Sequence, residues 1–279
     1  MMMLCNLPLD DGSGRVRKYL SSIIKAVRGI TGHPPASIIL FGSVIRAKRL
    51  SYASDIDTLI VLPDAVSFIQ RQKLSRYMVS LQRIFIKAGG PGLIEKILGL
   101  LEQSAGMFKS FFICSETELL SADFNRIFGV NRVLAALFAP KKLVLNSVLR
   151  GSMVVYGKSY DHVSLTPRID YWEIVKSYML CSLLGLSSML IMPFTAKADK
   201  YIYESIKWSL LNAYYYLKRR IVPFNSMIRF FEKILGGDDL LRVLKDYRSK
   251  GIIQRNLLPR YFSIIFKIHF SSTSGYLKR

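Results

Sequence analysis

Two periodicities of apolar positions alternate along the first half of the chain. Apolar residues recur at helical spacing from Gly14 to Ile30, and again from Ala65 to Lys87, where a Gly-Gly-Pro stop follows. Short β-rich apolar runs cover Ser37 to Phe41, Ile56 to Leu62 and Phe108 to Cys114. The pattern therefore predicts three strands with helices between them.

The remaining pattern of the first 160 residues is mostly helical. Residues 93–104 and 124–149 carry apolar positions at helical spacing, and residues 153–157 read as a last short strand. Glycine, serine and proline interrupt the pattern near residues 158–168. We therefore predict an α+β fold whose N-terminal domain, residues 1–160, has a short mixed sheet flanked by helices.

The second half predicts an all-α helical bundle. Helical spacing covers residues 171–192, 200–220, 224–235 and 239–248, and no convincing strand appears. We assign residues 165–270 to this bundle domain and residues 271–279 to a flexible tail. The three consecutive tyrosines at 214–216 could stack on a nucleobase, but successive helical positions diverge by about 100°, which favours core packing.

The apolar run Tyr178–Phe194 is the one membrane-like stretch, and it is about the minimum length for a span, contains serines and a glycine, and ends at Pro193. It favours a buried bundle helix, so no membrane partner is expected. The N-terminus has no basic region and acidic residues interrupt it early, so no signal peptide is expected, and three scattered cysteines fit no disulfide framework. A cytoplasmic location is therefore expected, and the oligomeric state stays open.

Charge adds a candidate class of partner. The chain has 40 Lys plus Arg against 19 Asp plus Glu, a formal net charge of +21. Such a surface attracts a nucleoside triphosphate, RNA or another polyanion. A generally high content of Lys and Arg in the proteins of the source organism would explain the same excess of positive charge, so charge alone does not choose between these partners.

The segment from Ser37 to Asp64 carries the candidate chemistry. Gly42 follows the first strand and can adopt backbone conformations that leave N–H groups facing an anion. Asp55 and Asp57 open the next strand at alternate positions, so both carboxylates point to one face. Oxygen ligands beside a phosphate-binding turn suit Mg²⁺, which completes its coordination with water and substrate phosphates.

The order of these features resembles the signature of the polymerase-β-type nucleotidyltransferase superfamily: an apolar strand, Gly-Ser, about a dozen residues and then Asp-x-Asp. The resemblance implies that Gly42, Ser43 and Arg46 contact the nucleotide phosphates. It also implies that Asp55 and Asp57 hold Mg²⁺, for which Mn²⁺ can substitute. A member would move a nucleoside monophosphate, AMP from ATP, to an acceptor hydroxyl and release pyrophosphate. The acceptor could be a small molecule, RNA or protein.

The same superfamily commonly places a third carboxylate, the general base, on a neighbouring strand. Glu116, just after the third predicted strand, is our candidate for that role. The alternative is that Ser115 to Glu118 form a helix cap, and Glu118 and Asp123 are weaker candidates for the base. Without a base, the chain would be a non-catalytic nucleotide- or RNA-binding module with the same fold.

Overall fold

A mixed four-stranded sheet forms the centre of the N-terminal half in the computed structural model, which describes residues 14–42, 45, 56–85, 110–160, 169–193, 198–236, 244 and 258–277. The strands are β1 (Ser37–Phe41), β2 (Asp57–Leu62), β3 (Phe111–Ser115) and β4 (Met153–Gly157). Their order is β3-β2-β1-β4. β1 is antiparallel to both β2 and β4, whereas β2 and β3 are parallel. The predicted mixed sheet and α+β class are confirmed.

Both faces of the central strands are covered. All five residues of β1 and the last five of β2 are buried, as their continuous apolar sequence indicates. Helices α1 (Arg15–Thr31) and α2 (Phe68–Phe85) share one apolar cluster with one face of the sheet. Two of the predicted helices are thus confirmed, and each observed end lies one to three residues from the predicted end.

Three short helices follow β3 in the first half: α3 (Glu116–Leu120), α4 (Phe124–Phe128) and α5 (Arg132–Phe138). Helix α6 (Lys141–Arg150) precedes β4. The helical pattern of residues 124–149 is therefore divided into three helices. Gly129 breaks it at a positive φ of 60°, and Pro140 interrupts it again before α6.

The described C-terminal region is helical, with α7 (Tyr171–Ile191), α8 (Ala198–Lys218), α9 (Phe224–Leu235) and α10 (Leu258–Leu277). They form a separate apolar core. The tyrosines at 214, 215 and 216 are all at most 4% exposed, so they belong to that core and offer no stacking surface. The helices predicted at residues 93–104 and 239–248 lie largely outside the described residues.

Two compact units divide the chain, and their limits differ from the predicted domains. The first comprises residues 1–135 and 148–165, and the second residues 136–147 and 166–279. Residues 136–147 join the second unit because Glu173 accepts hydrogen bonds from the Lys142 and Leu143 amides at 2.8 and 3.3 Å. These amides begin α6 and have no acceptor within their own helix.

The C-terminal tail differs from expectation as well. Residues 271–277 continue α10, whereas the sequence predicted a flexible tail from residue 271. The Ser271 and Ser272 hydroxyls donate to the Ile268 carbonyl at 3.0 and 2.7 Å. Ser272 is also fully buried, so packing carries the helix through a serine-rich segment of low intrinsic helix propensity.

Candidate active site

Gly42 and Asp57 meet at one edge of the sheet. Phe41, the last residue of β1, pairs with Asp57, the first residue of β2. Gly42 then turns with a φ of +82°, and a Cβ added to it would lie 2.9 Å from the Asp57 Cγ and closer still to its Oδ2. The glycine therefore serves two purposes, since it permits the turn and leaves the space that the Asp57 carboxylate occupies.

Apolar side chains lie on the same face as Asp57. Phe41 and Phe112 stack with ring centroids 6.1 Å apart, and Phe128 from α4 meets Phe112 edge-on at 4.9 Å. Phe41, Phe112 and Phe128 are at most 8% exposed. A rigid apolar base beside a carboxylate fixes its position and lowers the local dielectric, which strengthens its attraction for a cation.

The other face at this edge is held by hydrogen bonds. The Thr58 amide and hydroxyl both donate to the Ser110 carbonyl, at 2.9 and 3.3 Å. The Tyr19 hydroxyl is buried against the same region, and burial, with a smaller contribution from the charge of Asp57, raises the pKa of Tyr19 to about 12. Tyr19 therefore stays protonated, and the start of β2 is anchored from behind.

The described residues bring two of the predicted site residues together, Gly42 and Asp57. The other predicted members of this site, Ser43, Arg46 and Asp55, lie outside the described residues. Within the described part, Asp, Glu, His and Cys form no group of three able to hold a metal ion. Among the described residues, Asp57 is thus the candidate metal ligand. Because Gly42 has no Cβ, the Asp57 carboxylate fits close against the turn, where one of its oxygens could bind a cation beside a phosphate.

Glu116 lies at the opposite end of the sheet. β2 and β3 run parallel with Thr58 beside Phe111 and Leu62 beside Ser115, so Glu116 follows the far end of β3. Asp57 opens the near end, and a strand of this length separates the two positions by roughly 16–20 Å. At this separation Glu116 does not share a metal site with Asp57, so the structure does not bring the predicted general base together with the predicted metal ligand.

The contacts of Glu116 are structural. Its Oε1 accepts hydrogen bonds from Lys158 Nζ and the Tyr160 hydroxyl, both at 2.8 Å. The hydrogen bond from Lys158, more than that from Tyr160, holds the pKa of Glu116 below its usual range. Burial, followed by the Glu116 carboxylate, raises the pKa of Tyr160. The carboxylate thus fastens the segment after β4 to the end of β3.

The weaker alternatives, Glu118 and Asp123, are helix caps. Ser115 and Glu118 form a capping box at the start of α3, and Glu118 also receives two hydrogen bonds of 3.0 Å from Arg71. The Asp123 carboxylate accepts from the Asn125 and Arg126 amides at the start of α4. The capping alternative considered for residues 115–118 is therefore confirmed.

The direction of β3 is what the sequence reasoning missed. In a parallel pair, residues that precede the two strands meet at the same edge, so an acid acting with Asp57 belongs before β3 and not after it. The described residue at that position is Ser110, which pairs its carbonyl with Thr58. The nearest acid preceding β3 in the sequence is Glu102, which lies outside the described residues.

Comparison with known proteins agrees with this arrangement. Residues 20–98 match the family model of the nucleotidyltransferase domain, a range that includes most of α1, the Gly42 turn, Asp57 and α2. No curated protein sequence matches the chain significantly.

The fold is similar to a solved structure, the spectinomycin adenyltransferase AAD(9) from Enterococcus faecialis with ATP and spectinomycin. The two share 12% sequence identity at a TM-score of 0.55, over 93% of this chain and 98% of that chain. The likeness therefore extends over the sheet unit and the helical unit, and at this identity it concerns the fold.

Proposed function

We propose that this chain is a nucleotidyltransferase of the polymerase-β type, because residues 20–98 match the nucleotidyltransferase family model, and that it moves AMP from ATP to a hydroxyl of an acceptor and releases pyrophosphate. The contact that carries the proposal is the close fit of Gly42 to the Asp57 carboxylate. It joins a phosphate-binding turn and a metal-binding carboxylate in one rigid edge of the sheet.

Asp57 would bind Mg²⁺ together with Asp55, and Mn²⁺ could replace it. When bound, the ion neutralises phosphate charge as an acceptor oxygen attacks the α-phosphorus and pyrophosphate leaves. The turn at Gly42, with Ser43 and Arg46, would contact the triphosphate. The chain's own contribution is then largely positional, since phosphoryl transfer needs in-line geometry and charge stabilisation more than covalent chemistry.

The similar fold of a spectinomycin adenyltransferase solved with ATP supports ATP as the nucleotide and a small hydroxylated molecule as an acceptor class. RNA and protein hydroxyls remain alternative acceptors, and the charge of +21 favours a polyanion among them. We propose a cytoplasmic location, where ATP and Mg²⁺ are available.

A second candidate is a nucleotide-binding module without transfer activity. Ser110 favours it, because the described residue immediately before β3, at the edge of the sheet where Asp57 opens β2, carries a hydroxyl and not the carboxylate that a general base would need. Such a module would bind ATP with Mg²⁺ and leave the α–β phosphate bond intact.

Labelled ATP distinguishes the two candidates. The full chain is incubated with Mg²⁺ and either α- or γ-labelled ATP, and with spectinomycin, a pool of polyhydroxylated metabolites, total RNA or no added acceptor. AMP transfer places the α-label, and never the γ-label, on an acceptor. Asp57→Asn should lower this transfer by about 10³-fold while the protein stays folded, because the carboxylate ligand is lost.

Glu116→Gln is the matched control, since it removes a carboxylate from the far end of the same sheet. It should transfer AMP at a rate within about twofold of the wild-type rate. ATP binding by calorimetry without α-label transfer to any acceptor would contradict the transferase and favour the binding module.

A further inference from the structure

Helix α7 exposes a straight apolar stripe in the second unit. Trp172, Met179, Leu183, Leu186 and Leu190 are exposed by 58, 39, 41, 50 and 69%. Their spacing is seven, four, three and four residues, and the half-buried Lys176 divides the first interval into four and three. Alternating steps of three and four residues define the seam through which one helix packs along another.

The opposite side of α7 is fixed inside the bundle. The Ser177 hydroxyl is 3.2 Å from His269 Nε2 on α10 and accepts a 2.9 Å hydrogen bond from Asn212 on α8. The Ser205 hydroxyl on α8 donates to the Cys181 carbonyl. Burial lowers the pKa of His269 to about 4, so this network is neutral near pH 7. The helix is thus held by its neighbours while its stripe faces outward.

Charge is nearly absent from the stripe. Residues 177–191 contain no charged side chain, and Glu173 is 7% exposed, which leaves Lys176 as the charge beside the apolar residues. By length and mean hydropathy, 1.2, Tyr171–Leu190 could cross a membrane, with 39% of its apolar window buried. Helices that lie on membranes carry a strongly charged face opposite the apolar one, whereas the opposite face of α7 is packed inside the bundle, and this difference favours a protein partner.

The apolar surface is large enough for a stable interface. Phe266 and Phe270 on α10, exposed by 51 and 59%, stack on one another beside Tyr178 and widen the stripe. Together these seven side chains expose roughly 700–900 Å², which approaches the area that one partner buries in a standard interface. Most monomeric proteins show smaller apolar patches.

The stripe is also complementary to itself. It is centred on residue 181, so a second helix running antiparallel about that point meets it residue for residue. Trp172 then faces Leu190 of the second copy, and Met179 faces Leu183. Lys176 meets Leu186 and can extend its ammonium group into water. A two-fold interface requires this kind of self-complementary surface.

We propose that two copies of this chain form an antiparallel dimer through the α7 stripe, with its two-fold axis midway between Met179 and Leu183. The proposal is independent of the transferase chemistry, because all of its residues lie in the second unit.

Sedimentation velocity of the full chain tests the association. We expect a species of twice the chain mass of 31.8 kDa at micromolar concentration. Met179→Lys with Leu183→Lys should shift the dissociation constant upward by at least about 100-fold, since four buried apolar positions would become charged. Ile234→Lys is the matched control, as Ile234 is a 45% exposed apolar residue of α9 away from the stripe, and it should leave the dimer intact.

Cross-linking tests the register. In a Cys5→Ser background, the double variant Trp172→Cys, Leu190→Cys should give covalent dimers with a short bismaleimide. Leu190→Cys alone should give no covalent dimer, because the two copies of residue 190 would be about 27 Å apart along the helix axis.

A monomeric wild-type chain overturns the proposal, as does cross-linking by Leu190→Cys alone, which indicates a parallel pair. Co-sedimentation with vesicles of phosphatidylserine and phosphatidylcholine tests the alternative that a membrane covers the stripe. A monomer that pellets with them, and loses this binding on Leu183→Lys, would identify a membrane surface in place of the second copy.

Discussion

The two ends of the sheet both carry carboxylates, but they surround them differently. At one end, Asp57 packs against the backbone of Gly42, where a side chain would collide with it. At the other, Glu116 and Glu118 each bind cationic side chains, Lys158 and Arg71. The difference lies in what each carboxylate requires of the fold: the close approach of Asp57 requires a glycine at position 42, whereas Glu116 and Glu118 each join two segments through Lys158 and Arg71.

Gly42→Ala should have the largest effect on this comparison. The added Cβ collides with the Asp57 carboxylate, and a φ of +82° is strained for alanine by about 1–2 kcal/mol. We expect AMP transfer to fall by about 100-fold or more, as a displacement near 1 Å costs that much in a positioned site. Initial rates with α-labelled ATP and urea denaturation measure the two effects.

Gly129→Ala separates strain from collision. Gly129 has a φ of +60°, but a Cβ there would meet nothing within 4 Å. It should lose about 1 kcal/mol of stability and keep its transfer rate. Equal loss of activity in both variants would contradict the role of Gly42 in placing Asp57.

Glu118→Ala should have the next largest effect, on stability alone. The variant loses the capping box with Ser115 and leaves Arg71 without its carboxylate, in a region where both side chains are less than 25% exposed. We expect a loss of about 1–3 kcal/mol in the free energy of unfolding, measured by urea denaturation. The rate of AMP transfer per folded molecule should stay unchanged, and a fall in that rate above tenfold would contradict a structural role.

Local patterns in the sequence predicted much of the fold. β1 and α9 have the predicted limits, because a continuous apolar run defines the first and Pro223 with Gly236 bounds the second. The positions of Gly42 and Asp57 at the ends of β1 and β2 were predictable for the same reason, since the sequence defines both strands strongly. Such features depend on neighbours in sequence and on burial of one segment.

The position of Glu116 could not be predicted in the same way. The parallel pairing of β2 and β3 is set by the crossover of the chain between them, which no residue near Glu116 reveals. The capping box did leave a local signal, because Ser115 and Glu118 have its spacing. Likewise, residues 136–147 join the second unit through Glu173, a contact with a residue about 30 positions away.

Glu116→Gln should have the smallest effect on the free energy of unfolding, and the dependence of that effect on pH identifies its cause. Lys158, followed by Tyr160, lowers the pKa of Glu116 from its ordinary value of 4.5. The unfolded chain therefore binds this proton more readily than the folded chain, so the ion pair stabilises the fold above pH 4.5 and is lost as pH falls through the folded pKa. At pH 7 the variant should be less stable by up to about 1 kcal/mol, because the pair is close to the surface.

Urea denaturation at a series of pH values downward from pH 7 measures this difference, which should shrink as the pH falls below 4.5 and the Glu116 carboxylate becomes protonated. Lys158→Gln should reproduce the loss at pH 7, and the double variant should lose little more, because the two changes remove one interaction. A difference that stays constant with pH would mean that packing, and not charge, explains the effect. A tenfold fall in AMP transfer for Glu116→Gln would place this carboxylate at the substrate and remove the distinction between the two ends of the sheet.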